Sequence, residues 1–148
     1  MSDMGMNNSE VIGAVVGVIM LIIFLGLFIA YIFFLLSLQK NLSSVSEANR
    51  MMNPPMVWLN LIPLFVLGWM IYTTIKISES LEKELTARNI SFDTKPAYAL
   101  GLTFSIMNAS GLIWSWIPFL GLLVAIGLIV VWIIYWVQIS KFTKQLAG

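Results

Sequence analysis

The longest uncharged stretch of the chain, Val11–Leu38, constrains its fold more than any other feature. It is almost entirely apolar and contains no Asp, Glu, Lys or Arg. An α-helix needs about 20 apolar residues to cross the hydrocarbon core of a bilayer, and this run exceeds that length. We therefore predict a membrane-spanning helix over Val11–Leu38, which tilts or emerges from the bilayer because it is longer than necessary.

The composition of the whole chain supports a membrane location. Apolar residues make up 59% of the sequence and charged residues only 10%, whereas soluble domains carry about 25% charged residues. A water-soluble fold would leave too much apolar surface exposed, but a lipid bilayer accommodates it. The length fits a single membrane domain over residues 1–148.

The residue types that are absent from the sequence exclude many kinds of catalytic and metal-binding site. Cysteine and histidine are both absent, which excludes disulfides, thiol catalysis, Ser–His pairs and the usual zinc, haem and iron–sulfur sites. No charged residue lies mid-membrane in a predicted span, which argues against proton relays and ion-coupled carriers. The net charge of +1 gives no basis for binding nucleic acid. We expect no enzyme activity, catalytic residue, cofactor or metal.

Three further apolar segments complete the predicted fold. We predict an all-α integral membrane bundle of four transmembrane helices, with the second helix kinked because Pro63 lacks an N–H and clashes with the preceding turn. The four spans are Val11–Leu38, Met56–Ser78, Pro96–Ile117 and Phe119–Ser140, with polar connections at residues 39–55 and 79–95.

The basic residues favour a cytoplasmic location for both termini. Four spans place six basic residues on the face that holds both termini and two on the other, and cytoplasmic loops are enriched in Lys and Arg. In a rival topology, Pro63 turns the second segment into a re-entrant element. Three helices then cross, the N-terminus is outside and all eight basic residues are inside. We prefer four spans because Met56–Ile77 is long enough to cross.

The second half of the chain echoes an earlier segment. Trp58…Ile62-Pro63 is similar to Trp114…Ile117-Pro118, although the spacings differ. The echo is compatible with two tandem helical hairpins, a repeat typical of membrane folds, and equally with chance similarity.

Small residues identify candidate helix-packing sites. Gly13 and Gly17 form a GxxxG motif, and Gly121 with Ala125 forms a weaker pair of small residues four apart. Such pairs let two helices approach closely in lipid. They indicate either a contact between copies of the chain or internal packing of one bundle.

Polar residues within the spans form a second candidate set. Asn60 and Asn108 are amides deep in the second and third spans, and Ser105 belongs to a polar stripe on the third. Buried polar groups in lipid need partners, so these residues, with the carbonyl freed by Pro63, either join helices or line a polar path.

The charge run from Glu79 to Arg88 has a simpler interpretation. Glu79–Lys83 and Glu84–Arg88 are spaced as i,i+4 ion pairs on a helix that continues beyond the membrane. We interpret the run as a solvated helix face, where exposed pairs contribute little to stability.

Two stretches resemble a group of small, uncharacterised bacterial membrane proteins. They are Asn49-Arg50-Met51…Pro55-Met56-Val57-Trp58-Leu59-Asn60-Leu61-Ile62-Pro63-Leu64-Phe65 and Trp116-Ile117-Pro118…Trp132-Ile133-Ile134-Tyr135-Trp136-Val137. The resemblance covers residues 49–146 and implies a multi-pass protein of the bacterial inner membrane, with no catalytic or binding residue to transfer.

These observations predict a non-enzymatic membrane protein that acts by association. Its partners would be the lipid bilayer and either other membrane subunits or further copies of itself. The alternative is a passive channel or small-solute transporter lined by the polar third span, which requires Ser105 and Asn108 to face water.

Overall fold

The computed structural model describes residues 7–114 and 116–148, and all regular structure in them is helical. This confirms the predicted all-α class. The elements are α1 (Asn8–Ser44), a 3₁₀ helix (Pro54–Leu61), α2 (Phe65–Ala87), α3 (Tyr98–Trp114) and α4 (Pro118–Ala147). Ser115, inside the third predicted span, lies outside the described residues.

Two of the described helices are long and apolar enough to cross a membrane. They are α1 and the Phe119–Ala147 part of α4. The third predicted span corresponds to α3, which has 17 residues. The four predicted crossings are therefore not confirmed.

The second predicted span is not one kinked helix, and that prediction is wrong. The 3₁₀ helix ends at Leu61 and α2 begins at Phe65. Between them the Phe65 amide donates to the Pro63 carbonyl at 2.8 Å, and Leu64 takes a φ of 65°. This is a γ-turn, which a leucine enters only with strain. Pro63 thus separates two elements rather than bending one.

The chain before this turn folds back along α2. The Met51 amide donates to the Ser80 hydroxyl at 2.9 Å, and the Trp69 indole donates to the Met56 carbonyl at 2.9 Å. We call residues 51–87 the hairpin and residues 61–65 its tip.

Helix α2 continues past the predicted span, as the charge run indicated, and stops at a Schellman motif. Asn89 lies in the left-handed region with a φ of 56°. Its amide donates to the Thr86 carbonyl, and the Ile90 amide donates to the Leu85 carbonyl at 2.9 Å. Asparagine tolerates this conformation better than most residues, so the sequence ends the helix here.

The described chain divides into two compact units at Phe34/Leu35, within α1. In the first unit, every residue from Asn8 to Ile29 is exposed. From Val11 onward the exposed residues are apolar on all sides of the helix, a composition typical of a buried or membrane-spanning helix.

The second unit, residues 35–148, contains an antiparallel α2–α3–α4 arrangement. The Thr74 and Ser105 hydroxyls are 3.1 Å apart, and the Ser78 hydroxyl donates to the Pro96 carbonyl at 2.7 Å. A Cβ on Gly101 would lie only 2.9 Å from the Tyr135 ring, so this glycine permits close helix packing. Fully buried core side chains include Leu38, Leu42, Met70, Ile77, Leu81, Tyr135 and Ile139.

Residues 35–44 of α1 run parallel to the last turns of α4. The Trp136 indole donates to the Ser37 hydroxyl at 2.8 Å, and the Asn41 amide donates to the Thr143 hydroxyl at 3.0 Å. Glu84, near the end of α2, accepts hydrogen bonds from Ser46, which lies just beyond α1. The C-terminal ends of α1, α2 and α4 therefore meet at one end of this unit, which we call the basic end because Lys and Arg cluster there.

Candidate functional site

A cluster of polar side chains around one buried carboxylate lies at the basic end. We call it the end cluster; its members are Ser46, Asn49, Arg50, Glu84 and Arg88. They come from the loop after α1 and from the last turns of α2.

Glu84 is the centre of the end cluster and is only 3% exposed. Its carboxylate accepts bonds from the Ser46 hydroxyl at 2.6 Å, the Asn49 amide at 2.8 Å and Arg88 Nε at 2.9 Å. Burial alone would raise the pKa of this carboxyl, but these donors together outweigh it and lower the pKa to about 2. Glu84 is therefore a buried, ionised and fully hydrogen-bonded anchor.

Two arginines of the end cluster bind the open ends of other helices. Arg50 Nε donates to the Leu42 carbonyl and Arg50 Nη2 to the Val45 carbonyl, both at 2.9 Å. Arg88 Nη1 donates to the Leu146 carbonyl at 2.7 Å. The last carbonyls of a helix lack internal partners and carry partial negative charge. The two guanidiniums therefore donate hydrogen bonds to these carbonyls and offset their partial negative charge at the ends of α1 and α4.

The interpretation of Glu79–Arg88 as a solvated face is therefore wrong for Glu84. The Glu84–Arg88 pair forms as the spacing predicted, but the Glu84 side chain is buried whereas the Arg88 side chain is exposed. A sequence signal was available, because Ile77, Leu81 and Glu84 are spaced at i, i+4 and i+7 on the apolar face of α2. Glu79 instead pairs with Lys76 at 2.8 Å in a partly exposed position.

A second set of polar residues joins the helices further along the unit. Asn60 is 2% exposed, and its amide donates to the Val57 carbonyl at 2.9 Å and to the Thr73 hydroxyl at 3.2 Å. Ser105 is fully buried, and its hydroxyl lies 2.7 Å from the Gly101 carbonyl. Both residues lie between packed elements, since Asn60 contacts Thr73 and Ser105 contacts Thr74.

The polar side chains of α3 do not line a single continuous path in the described chain. Thr103 is exposed, Ser105 is buried and Asn108 is half-buried. The Asn108 side chain makes no hydrogen bond within the part of the chain that the structure describes. The structure places the exposed Pro63 in the turn before α2.

The predicted small-residue pairs lie on two different helices. A Cβ on Gly13 or Gly17 would meet nothing within 4 Å, so these glycines pack against nothing in the described chain. On α4, Gly121 is half-buried and Ala125 is exposed.

The contacts of these groups join helices and helix ends. Among the described residues, no group of three or more Asp, Glu, His or Cys could hold a metal ion. What the end cluster can do is hold three helix ends in a fixed arrangement through charged hydrogen bonds.

Comparisons with known proteins add no relative to this picture. No family model, curated protein or solved structure matches the chain.

Proposed function

We propose that this chain is a small, non-enzymatic integral membrane protein that acts by association, as an accessory subunit of a larger complex or as a homo-oligomer. We place it in the bacterial inner membrane, in line with the resemblance of residues 49–146. The proposal rests on the tip of the hairpin and on the topology that follows from it.

The topology that we propose has three crossings, by α1, α3 and α4, and a re-entrant hairpin. Helix α3 is about 25 Å long, near the lower limit for a crossing. The hairpin enters and leaves at the basic end, so all eight basic residues lie on the cytoplasmic side. The N-terminus is then outside and the C-terminus inside.

The single observation that carries the association is the exposure of the hairpin tip. Leu61, Ile62, Leu64 and Phe65 are 38%, 47%, 76% and 45% exposed. The apolar part of α2, from Phe65 to Ile75, is about 16 Å long, which puts the tip roughly halfway across a 30 Å hydrocarbon core.

Irregular backbone at that depth requires protein around it. Lipid cannot hydrogen-bond N–H or carbonyl groups, so lipid-exposed turns do not occur within the hydrocarbon region. The turn at Pro63–Phe65 is irregular and its side chains are uncovered in the single chain. A second protein surface, from another subunit or another copy, therefore covers the tip.

The first half of α1 provides a second contact surface. Gly13 and Gly17 leave a flat strip on a helix whose residues 8–29 are all exposed. Close approach of a partner helix along such a strip gains van der Waals packing, which is the main attraction between helices in lipid.

The test is the mass and composition of the particle purified from native membranes in mild detergent, determined by mass spectrometry. We expect a particle with other subunits or several copies. Leu64→Trp should release these partners, because the larger ring clashes with whatever covers the tip. Leu122→Trp is the matched control, since Leu122 is also exposed but lies on α4, where lipid accommodates the ring.

The α1 surface is tested in the same way. Gly13→Leu with Gly17→Leu should weaken the particle without disturbing the chain itself, because neither new side chain meets an internal neighbour. Gly26→Leu, an equally open position on a different face of the helix, should leave it intact. A monomer without partners in the wild-type preparation would refute the proposed association.

A further inference from the structure

A small basic pocket lies between α1 and α4 at the basic end. Its volume is about 190 Å³, and it is lined by Ser37, Lys40, Ser140, Thr143 and Lys144. All five residues belong to the second unit. The lining contains two ammonium groups, three hydroxyls and no carboxylate.

The two lysines have no counter-ion in the described part of the chain. Lys40 and Lys144 are exposed, and neither forms an ion pair there. Lysines near helix C-terminal ends interact favourably with the helix dipole, so their charge alone does not indicate a ligand. What indicates a ligand is the pocket that the two lysines share with hydroxyl groups.

The hydroxyl groups of the pocket differ in whether they can donate a hydrogen bond to a ligand. Thr143 donates to the Ile139 carbonyl at 2.9 Å and accepts from the Asn41 amide at 3.0 Å, so its position is fixed. The Ser140 hydroxyl makes no hydrogen bond within the described residues and is half-buried. It is thus a donor available to a ligand oxygen beside the two ammonium groups.

Neighbouring tryptophans place the pocket at the boundary between lipid and water. The Trp136 indole donates to Ser37, which lines the pocket, and the Trp58 indole donates to Gln39 at 2.7 Å. Tryptophans with a hydrogen-bonded N–H and an apolar ring are enriched at this boundary.

Apolar surface continues from the pocket towards the membrane. Leu36 lies one turn before Lys40 on α1, and Ile133 and Val137 precede Ser140 on α4. All three are between 43% and 51% exposed. A ligand with a phosphate in the pocket and acyl chains beneath it matches this arrangement.

We infer that the pocket binds the phosphate of an anionic phospholipid in the cytoplasmic leaflet. Lys40 and Lys144 contact the phosphate oxygens, and Ser140 donates a hydrogen bond to one of them. A zwitterionic lipid would bring an ammonium group for which the lining has no carboxylate. The inference rests on the proposed membrane location, and it concerns a site distinct from the association surfaces.

The test uses the purified full chain, delipidated in mild detergent and titrated with short-chain phosphatidylglycerol or phosphatidylcholine. Bound lipid per chain is counted by native mass spectrometry. We expect at least about tenfold tighter binding of phosphatidylglycerol. Lys40→Gln with Lys144→Gln should weaken it about tenfold or more, because each lysine near an anionic surface contributes on the order of 1 kcal/mol.

Matched variants separate a built site from general basic charge. Lys83→Gln with Lys95→Gln removes the same charge from exposed positions outside the pocket and away from the adjoining apolar surface, and should change the affinity less than about twofold. Ser140→Ala removes no charge but should weaken binding about threefold or more, since a hydrogen bond to a charged group is lost. Circular dichroism checks that each variant keeps its helices.

Two outcomes would overturn the lipid assignment. Equal losses for the two lysine pairs would reduce the pocket to part of a diffuse basic surface. Displacement of phosphatidylglycerol by millimolar inorganic phosphate would make the ligand a free anion. Neither result depends on the particle mass, so failure of this inference and failure of the association proposal are distinguishable.

Discussion

At the scale of single residues, Glu84 links the stability of the protein to pH. Its pKa is lowered from an ordinary 4.5 to about 2. A carboxyl with a lowered pKa in the folded state contributes stability that is fully present above pH 4.5 and is lost as the pH falls towards 2. A shift of this size corresponds to a contribution on the order of 3 kcal/mol.

We therefore expect the thermal unfolding midpoint in detergent to fall steeply between pH 4.5 and pH 2. Glu84→Gln should have a lower midpoint at neutral pH and a flatter profile in that window, because the neutral amide cannot titrate. Glu47→Gln changes an exposed carboxyl and should preserve the wild-type profile. Parallel profiles for the wild type and Glu84→Gln would show that another group controls the acid transition.

Some of these residue roles were readable from the sequence, and others were not. The Glu84–Arg88 pair follows from i,i+4 spacing, and the burial of Asn60 and Ser105 follows from their place in apolar segments. The Arg50 contacts with the end of α1 depend on how the polar connection over residues 39–55 folds, which no local pattern specifies. Such contacts depend on the path of the loop and need the three-dimensional structure.

At the scale of elements, the strained turn at Leu64 predicts an unusual mutational response. A leucine with a φ of 65° is strained, whereas glycine adopts such angles readily. Leu64→Gly should therefore raise the free energy of unfolding by about 1 kcal/mol, and Leu64→Val should lower it, because β-branched residues tolerate positive φ worst. Unfolding in mixed detergent micelles measures both.

The direction in which Leu64→Gly changes the free energy of unfolding distinguishes the γ-turn at Leu64 from a continuous kinked helix. In a continuous kinked helix, glycine would lower the stability by about 1 kcal/mol relative to a good helix former. A loss with Leu64→Gly would therefore favour the kinked helix. Pro63 alone does not tell a kinked helix from a reversal of the chain, because proline is compatible with both. Packing of the preceding segment against α2 selects the reversal.

At the scale of the whole molecule, the all-α class and the apolar segments were predictable because they depend on composition and run length. The number of crossings was not. The number of crossings depends on whether residues 56–78 cross the membrane in one direction or turn back within it. Their apolar length is sufficient for a full crossing and for a re-entrant hairpin. The distribution of basic residues favours the re-entrant hairpin that we propose, because that course gathers all eight on one side.

Single cysteines decide the topology, since the natural chain contains none. Asn7, Asn53, Asn89 and Gln145 are all exposed, so each accepts a cysteine and a membrane-impermeant thiol reagent reports its side in intact cells. Three crossings with a re-entrant hairpin place Asn53→Cys and Asn89→Cys inside and Asn7→Cys outside. Four crossings place Asn53→Cys outside and Asn7→Cys inside. Gln145→Cys is inside in both and is the control for leakage. We expect labelling at Asn7→Cys alone, because the chain reverses at Leu64 and returns to the side from which it came.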